Sequence, residues 1–225
     1  MRLFVTGTDT DVGKTVVTCA LARAARAVGT VCAAKPVASG VAPGTAGTDA
    51  EALGEAAGHP PRVHAAFAAP ISPHRAAAAE GRSIDRAAVL RWIRDLAADT
   101  VLVEGVGGWR VPLAIDPPLW VVDLARATGG PVVIVAADRL GVLNHTLLTA
   151  DAVRAAGLAL GAVVLNQGAA PPDPSRTTNA DDLAALVEAP VVTVPRLEPG
   201  DPEGARAAGE SVLRVIRGGS WIASG

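Results

Sequence analysis

The sequence has few cysteines, little excess charge and no long hydrophobic run. Its only two cysteines, Cys19 and Cys32, lie in apolar stretches, and we interpret them as small buried residues rather than a disulfide. The formal net charge of -2 includes no basic excess, so we expect no binding to nucleic acid or to an acidic membrane surface. No apolar run approaches the roughly 20 residues of a membrane span, and the first residues are too polar for a signal-peptide core. We therefore expect a cytoplasmic protein.

Short β-branched runs alternate with alanine-rich and leucine-rich stretches along most of the chain. With 225 residues and 50% hydrophobic residues, the chain suits one domain over 1–225 with a single core. Strands that are continuously apolar are typical of parallel sheets covered on both faces, and such runs occur at 3–6, 31–37, 100–105, 131–138, 161–166 and 190–194. Helical patterns occur at 14–28, 49–57, 85–98, 144–156, 178–188 and 203–217, and loops rich in glycine and proline at 39–48, 168–176 and 197–204. The alternation predicts an α/β fold with a mostly parallel, doubly wound sheet flanked by helices.

The segment GTDTDVGKT, residues 7–15, follows the first predicted strand and leads into the first predicted helix. In this arrangement backbone N–H groups and the helix N-terminus face an anion, as in a phosphate-binding P-loop. The segment is a variant of that motif, because Thr8 stands where the pattern has its first glycine. We expect Lys14 to reach the phosphates of a nucleotide and the Thr15 hydroxyl to hold Mg²⁺.

Polar side chains stand at the predicted ends of two further strands. Lys35 ends the apolar part of the second strand, with Ser39 close behind, and would bring a second cation to the transferred phosphate. Glu104 ends the strand at 100–105 and is a candidate ligand for Mg²⁺. Asp49, at the start of a predicted helix, is either its N-cap or a third metal ligand. In open α/β sheets such strand ends meet at the ligand site.

Two asparagines are further candidates for binding. Asn144 stands at the start of the predicted helix 144–156 and either caps it or marks a helix N-terminus that holds a substrate carboxylate. Asn166 ends the strand at 161–166, and its amide both donates and accepts hydrogen bonds, as the edge of an adenine requires. A role in stabilising the loop is the alternative for Asn166.

These motifs together resemble the dethiobiotin synthetase family. The resemblance rests on GTDTDVGKT, KPVASG, SPH at 72–74, VLVEGVGGW, LGVLNHTLLTA and the strand-end Asn166, in order, from residue 2 to about 196. It implies an ATP-dependent reaction of 7,8-diaminononanoate with CO₂ that gives dethiobiotin, ADP and phosphate. One amine forms a carbamate, the γ-phosphoryl group activates it as a mixed anhydride, and the second amine closes the ureido ring.

The resemblance also implies roles for individual residues. It makes Lys14 and Lys35 catalytic. It places the nucleotide at Thr8, Asp9, Thr10, Asp11, Val12, Gly13, Lys14, Thr15, Val16, Asn166, Pro195 and Leu197. It places the diamine at Thr8, Lys35, Ser39, Gly141, Val142 and Asn144, and Mg²⁺ at Thr15, Asp49 and Glu104. The family works as a homodimer in which the segment equivalent to Gly141–Asn144 holds the substrate carboxylate at the subunit interface.

The main alternative is a switch ATPase of the partitioning or site-selection type on the same fold. Such proteins carry an extra lysine in the loop where this chain has Asp9, and they commonly have a basic patch or an amphipathic tail. Dependence of phosphate release on the diamine and bicarbonate, rather than on DNA or lipid, distinguishes the two functions.

Overall fold

A computed structural model describes residues 1–198 and 200–219, which form nine β-strands and eight α-helices. The strands are β1 (Arg2–Gly7), β2 (Val31–Ser39), β3 (Val63–Phe67), β4 (Thr100–Gly108), β5 (Pro112–Ala114), β6 (Leu119–Trp120), β7 (Val132–Ala137), β8 (Leu160–Asn166) and β9 (Val191–Val194). The helices are α1 (Lys14–Arg26), α2 (Thr48–Ala57), α3 (Pro73–Ala79), α4 (Arg86–Asp95), α5 (Val121–Thr128), α6 (Val142–Ala155), α7 (Asn179–Leu186) and α8 (Pro202–Gly218).

Seven strands form one sheet in the order β3-β2-β4-β1-β7-β8-β9, and every neighbouring pair is parallel. Strands β5 and β6 form a separate antiparallel pair. One apolar cluster lies between the sheet and α1, α2 and α8, and a second lies on the side of α3 to α7. Helices therefore cover both faces, which is why the strands are apolar throughout. The predicted α/β fold with a mostly parallel, doubly wound sheet is confirmed.

Every strand and helix predicted from the sequence is present, but some boundaries were wrong. Helix α6 begins at Val142 rather than at residue 144, and Gly141, with φ of 93°, precedes it. Helix α4 ends at Asp95 rather than at 98, because Leu96 adopts an extended conformation with ψ of 129°. Strands β3, β5 and β6 and helices α3 and α5 were not predicted. The predicted domain 1–225 and loop 197–204 include residues 220–225 and Pro199, which lie outside the described residues.

Helices α1 and α8 pack closely through a glycine. A Cβ atom at Gly209 would lie 2.0 Å from the carbonyl oxygen of Ala20, a distance that no real side chain tolerates. Glycine at this position lets the two backbones approach, and α8 thereby covers the helix that follows the GTDTDVGKT loop. Within residues 1–198 and 200–219, no helix has the length and apolar character needed to cross a membrane.

Candidate functional site

The GTDTDVGKT loop connects β1 to α1 at the carboxyl edge of the sheet. The Thr8 amide still donates to the Val135 carbonyl at 3.0 Å, so the loop begins as an extension of the strand pairing. The Lys14 ammonium then curls back and donates to the Asp9 carbonyl at 3.0 Å. Asp11 has a φ of 57°, the left-handed conformation in which successive N–H groups form a concave, anion-binding surface. The loop therefore has the shape of a phosphate cradle.

Gly13 sits at the N-cap of α1 with φ of 90°. A Cβ atom there would lie 1.8 Å from Nδ2 of Asn166, so only glycine fits. A glycine cap also leaves the first N–H groups of the helix available to a ligand. Asn166 itself fixes the loop, because Nδ2 donates to the Val12 carbonyl at 3.1 Å while Oδ1 accepts from the Gly168 amide at 3.1 Å.

Lys35 lies between two carboxylates beside the start of α1. Its Nζ is 2.6 Å from Oε1 of Glu104 and 2.7 Å from Oδ2 of Asp49. The Thr15 hydroxyl donates to the same Glu104 oxygen at 2.9 Å. Strands β2 and β4 are neighbours, and their register ends at Ala34, so Lys35 and Glu104 follow the last paired residues and their side chains meet.

The predicted positions of Lys35, Glu104 and Asp49 within their elements need correction. Lys35 and Glu104 lie inside β2 and β4 rather than at their ends, because β2 continues beside β3 to Ser39 and β4 continues to Gly108. Asp49 is not the N-cap of α2, since the helix begins at Thr48 with Gly47 as its cap. Its carboxylate contacts Lys35 instead.

Burial and neighbouring charges shift the pKa values of the lysines in opposite directions. Burial lowers the pKa of Lys14, and the nearby Lys35 ammonium lowers it further. Burial would also lower the pKa of Lys35, but the Glu104 and Asp49 carboxylates outweigh it and the net pKa is raised. Burial acts to raise the pKa of Asp49, whereas the charge of Lys35 lowers it on balance. Lys35 therefore keeps its proton more readily than a free lysine does, and Lys14 keeps its proton less readily.

The Oε2 atom of Glu104 is fully buried and has no hydrogen-bond partner among the described residues. A buried carboxylate oxygen without a partner is costly unless something binds it. The residues described here include no group of three or more His, Cys, Asp or Glu side chains that would hold a metal by themselves. Two carboxylates and one hydroxyl nevertheless suit Mg²⁺, which commonly takes one or two carboxylates together with substrate phosphates and water. The predicted metal ligands thus fit the ion.

A cleft of about 910 Å³ opens over this cluster. Eleven of the predicted site residues line it: Thr10, Asp11, Gly13, Lys14, Thr15, Val16, Lys35, Ser39, Asp49, Asn166 and Leu197. The lining divides into two groups on opposite sides of β1 in the sheet order, which we call the two arms of the cleft. One arm, at β2 and after β3, contains Lys35, Ser39 and residues 70–73, and the other, at β8 and β9, contains Asn166, residues 168–169 and residues 196–197.

The structure places the remaining predicted site residues outside the lining of this cleft. Among the described residues, these are Thr8, Asp9, Val12, Glu104, Pro195, Gly141, Val142 and Asn144. The last three lie at the N-terminus of α6. There the predicted cap was wrong, because Asn144 is an exposed residue of the first helical turn and Gly141 occupies the N-cap.

Several lining residues were missed by the sequence analysis. They are Ala38, Pro70, Ile71, Ser72, Pro73, Val106, Gly107, Val111, Gly168, Ala169 and Arg196. The sequence contains a signal for three of these residues. Ser72 and Pro73 belong to the SPH motif at 72–74, and Gly107 belongs to the glycine-rich stretch after Glu104. The segment 70–73 follows β3, and because that strand was not predicted, the segment could not be placed at the carboxyl edge of the sheet.

Comparison with known proteins connects this geometry to a family. The family model described as "AAA domain" matches residues 1–204. The chain is 45% identical over 222 residues to the ATP-dependent dethiobiotin synthetase of Anaeromyxobacter dehalogenans strain 2CP-C, covering 96% of this chain and 98% of the relative. It is 43% identical over 219 residues to the enzyme of that name from Pseudomonas aeruginosa strain UCBPP-PA14, covering 91% and 93%.

The structural likeness to partitioning proteins is much more distant. A putative plasmid partition protein from Borrelia burgdorferi, bound to AMPPNP, superposes with a TM-score of 0.58 at 12% identity and covers 96% of this chain and 98% of its own. This likeness shows the shared fold alone and does not favour the switch ATPase alternative. The relatives at 43–45% identity confirm the resemblance found in the motifs. The chain belongs to the ATP-dependent dethiobiotin synthetase family.

Proposed function

We propose that this chain is an ATP-dependent dethiobiotin synthetase, a ligase that forms carbon–nitrogen bonds. It joins 7,8-diaminononanoate and CO₂ into the ureido ring of dethiobiotin and converts ATP to ADP and phosphate. The observation that carries this function is that Lys14, Lys35 and Thr15 line one cleft large enough for a nucleotide and a diamine, with Lys35 and Thr15 both bonded to the buried Glu104.

The phosphates of ATP bind at the GTDTDVGKT loop. The N–H groups of the first turn of α1, left free by the Gly13 cap, point toward an anion there. The Lys14 ammonium needs only to exchange the Asp9 carbonyl for a phosphate oxygen, a neutral acceptor for a charged one. Thr8 to Val16 form the surroundings of the phosphates, in agreement with the roles implied by the family.

Lys35 stabilises the charge that develops during phosphoryl transfer to the carbamate. Negative charge spreads over the transferred group in such reactions, so fixed cations and correct alignment supply most of the catalysis. Lys35 is held between two carboxylates before the substrates arrive, and it requires little reorganisation to act. Ser39, at the end of the same strand, contacts the diamine, whose second amine attacks the activated carbonyl and releases phosphate.

Mg²⁺ binds at Thr15, Asp49 and Glu104 in this proposal. The unpartnered buried oxygen of Glu104 supports the assignment. When bound, the ion neutralises phosphate charge and orients the terminal phosphoryl group.

The nucleoside lies in the arm of the cleft beside Asn166. One N–H of the Asn166 amide and its oxygen hold the protein loop, so the second N–H is the donor that remains for adenine. Leu197 lines the same arm, and Pro195 lies next to it on the segment that leaves β9.

We further propose a homodimer in which Gly141, Val142 and Asn144 of α6 bind the carboxylate of the diamine bound to the partner subunit. A carboxylate is stabilised at a helix N-terminus by the free N–H groups and the helix dipole. The same proposal places the protein in the cytoplasm, treats residues 1–225 as one domain, and includes neither nucleic acid nor membrane among its partners.

The proposed function is tested by asking what triggers phosphate release. Purified protein with Mg²⁺ and ATP should release phosphate at a rate that rises on addition of both 7,8-diaminononanoate and bicarbonate. Lys35→Met should abolish this stimulation while ATP binding, measured by calorimetry, persists. Stimulation by DNA or anionic vesicles instead of the diamine would contradict the ligase function and favour a switch ATPase.

A further inference from the structure

The segment after β8 is held in place by a single arginine, Arg176. Its Nε donates to the Asp138 carbonyl at 2.7 Å, and its Nη2 donates to the Gln167 carbonyl at 2.8 Å and the Ala170 carbonyl at 2.5 Å. These three carbonyls belong to the end of β7 and to the two ends of the segment 167–170. One guanidinium therefore ties that segment to the sheet.

A second layer of hydrogen bonds fixes the same segment through the Asp138 side chain. Asp138 is 1% exposed, and its Oδ2 accepts from Nε2 of Gln167 at 3.1 Å. Its Oδ1 accepts from Nδ2 of Asn179 at 2.8 Å, and that amide also donates to Oγ of Ser175 at 3.1 Å. Buried polar networks of this kind specify one geometry because every broken bond leaves an unsatisfied group.

The segment held by this network forms a wall of the cleft. Gly168 and Ala169 line the cleft, and the Gly168 amide donates to Asn166, whose own amide contacts the GTDTDVGKT loop. In the proposed function Lys35 and Asp49 surround the terminal phosphate, so the opposite arm, with Asn166 and residues 168–169, receives the nucleoside. A shift of the segment would therefore change the site for the base more than the site for the phosphates.

We infer that Arg176 is a positioning residue for the nucleotide base: it fixes the wall at Gly168 and Ala169 without contacting the ligand. This inference rests on the proposed use of ATP. It predicts that the affinity for the base is lost when Arg176 is changed, while the affinity for the phosphates is kept. A lysine at this position would keep the positive charge. Its single ammonium group cannot reach all three carbonyls, whereas the planar guanidinium bonds them with two different nitrogens.

The test compares two ligands, MgATP and magnesium tripolyphosphate, which share the phosphates and differ in the nucleoside. Dissociation constants are measured by calorimetry on wild-type protein, Arg176→Lys and Arg176→Gln. We expect both variants to bind ATP about tenfold more weakly, as for a loss of about 1.4 kcal/mol, and to bind tripolyphosphate within about twofold of wild type. In steady-state assays the KM for ATP should rise while kcat is retained, and lysine should rescue no more than glutamine does.

Arg206→Gln is the matched control, because Arg206 pairs with Glu210 on the exposed face of α8 and does not line the cleft. It should leave both dissociation constants unchanged. Gln167→Ala removes one bond of the network and serves if the Arg176 variants do not fold. It should weaken ATP binding in the same selective way, by a smaller factor.

Equal weakening of ATP and tripolyphosphate in the variants would overturn the inference, because it would mean that the phosphate loop itself had loosened. Unchanged ATP affinity would also overturn it, as would wild-type protein that binds the two ligands equally well. The binding measurements contain no diamine. A protein that binds ATP with the expected selectivity but makes no dethiobiotin would therefore disprove the proposed reaction and leave the role of Arg176 intact.

Discussion

Replacing Lys35 by methionine should lower the free energy of unfolding. The size of the loss depends on how deeply its two carboxylate partners are buried. Glu104 is fully buried, and its Oε1 is 2.6 Å from Lys35 Nζ. Removing one partner of such a pair leaves an uncompensated buried charge and costs about 3–5 kcal/mol. The Asp49 side chain is 44% exposed, so its pair with Lys35 adds only about 0–1 kcal/mol. The loss of the Glu104 partner therefore dominates.

The assay is urea unfolding followed by circular dichroism. With a total stability of about 5–15 kcal/mol, Lys35→Met should remain folded but unfold at a clearly lower urea concentration. Lys35→Met combined with Glu104→Gln removes the buried charge and should recover most of the loss. A double-mutant cycle over the two positions measures their coupling energy.

Arg23→Met is the matched control for losing an ion pair. Arg23 pairs with Glu55 at 3.1 Å, and the Glu55 side chain is 77% exposed, so the expected loss is below about 1 kcal/mol. Equal stability of Lys35→Met and Arg23→Met would contradict the prediction, as would a double variant with Glu104→Gln that recovers no stability.

Three further predictions concern the loop, the helix packing and Lys14. Gly13→Ala should weaken ATP binding at least tenfold in calorimetry because of its steric conflict, whereas Gly129→Ala, which shares a positive φ but has open space, should leave binding unchanged. Gly209→Ala should lower the free energy of unfolding by at least about 1–3 kcal/mol. Gly218→Ala, which has nothing near its Cβ position, should leave that free energy unchanged. Equal urea midpoints for the two variants would contradict the close packing of α1 and α8. Burial and a neighbouring ammonium lower the pKa of Lys14, and phosphates bind the charged form of this side chain. The affinity for ATP should therefore fall with rising pH before the ordinary lysine range is reached. Lys14→Met should bind ATP weakly, with an affinity that does not change over the same pH range. A parallel pH dependence in Lys14→Met would exclude this lysine as the cause.

The elements that could be predicted are those with a strong local pattern. Strands β1, β7 and β8 are continuous apolar runs, because helices cover both faces of the sheet. Strand β3 was missed because its sequence, VHAAF, contains alanines and an exposed histidine, and because the strand lies at the sheet edge beside β2. Strands β5 and β6 have three and two residues, too few for any period to appear. Helix α5 begins directly after β6, so no loop residues in the sequence mark the start of the helix.

The site was predictable in its residue types and less so in its geometry. Lys35 and Glu104 are 69 residues apart in sequence, and they meet only because β2 and β4 are neighbours in the sheet. Lys35 lies inside β2 because β3 extends the pairing of that strand, and Glu104 lies inside β4 because β4 continues beside β1 to Gly108. The contacts of Arg176 could not be predicted, because its partners are backbone carbonyls at the end of β7 and in the segment after β8, and backbone groups carry no signature in the residue types.

The side chains at the start of α1 are proposed to position ATP and the carbamate so that a ureido ring closes. The most direct test of this proposal is mass analysis of the product formed from 7,8-diaminononanoate, isotopically labelled bicarbonate, Mg²⁺ and ATP. We expect dethiobiotin that contains one labelled carbon, formed in an amount equal to that of the released phosphate. Phosphate release without labelled dethiobiotin would contradict the proposal.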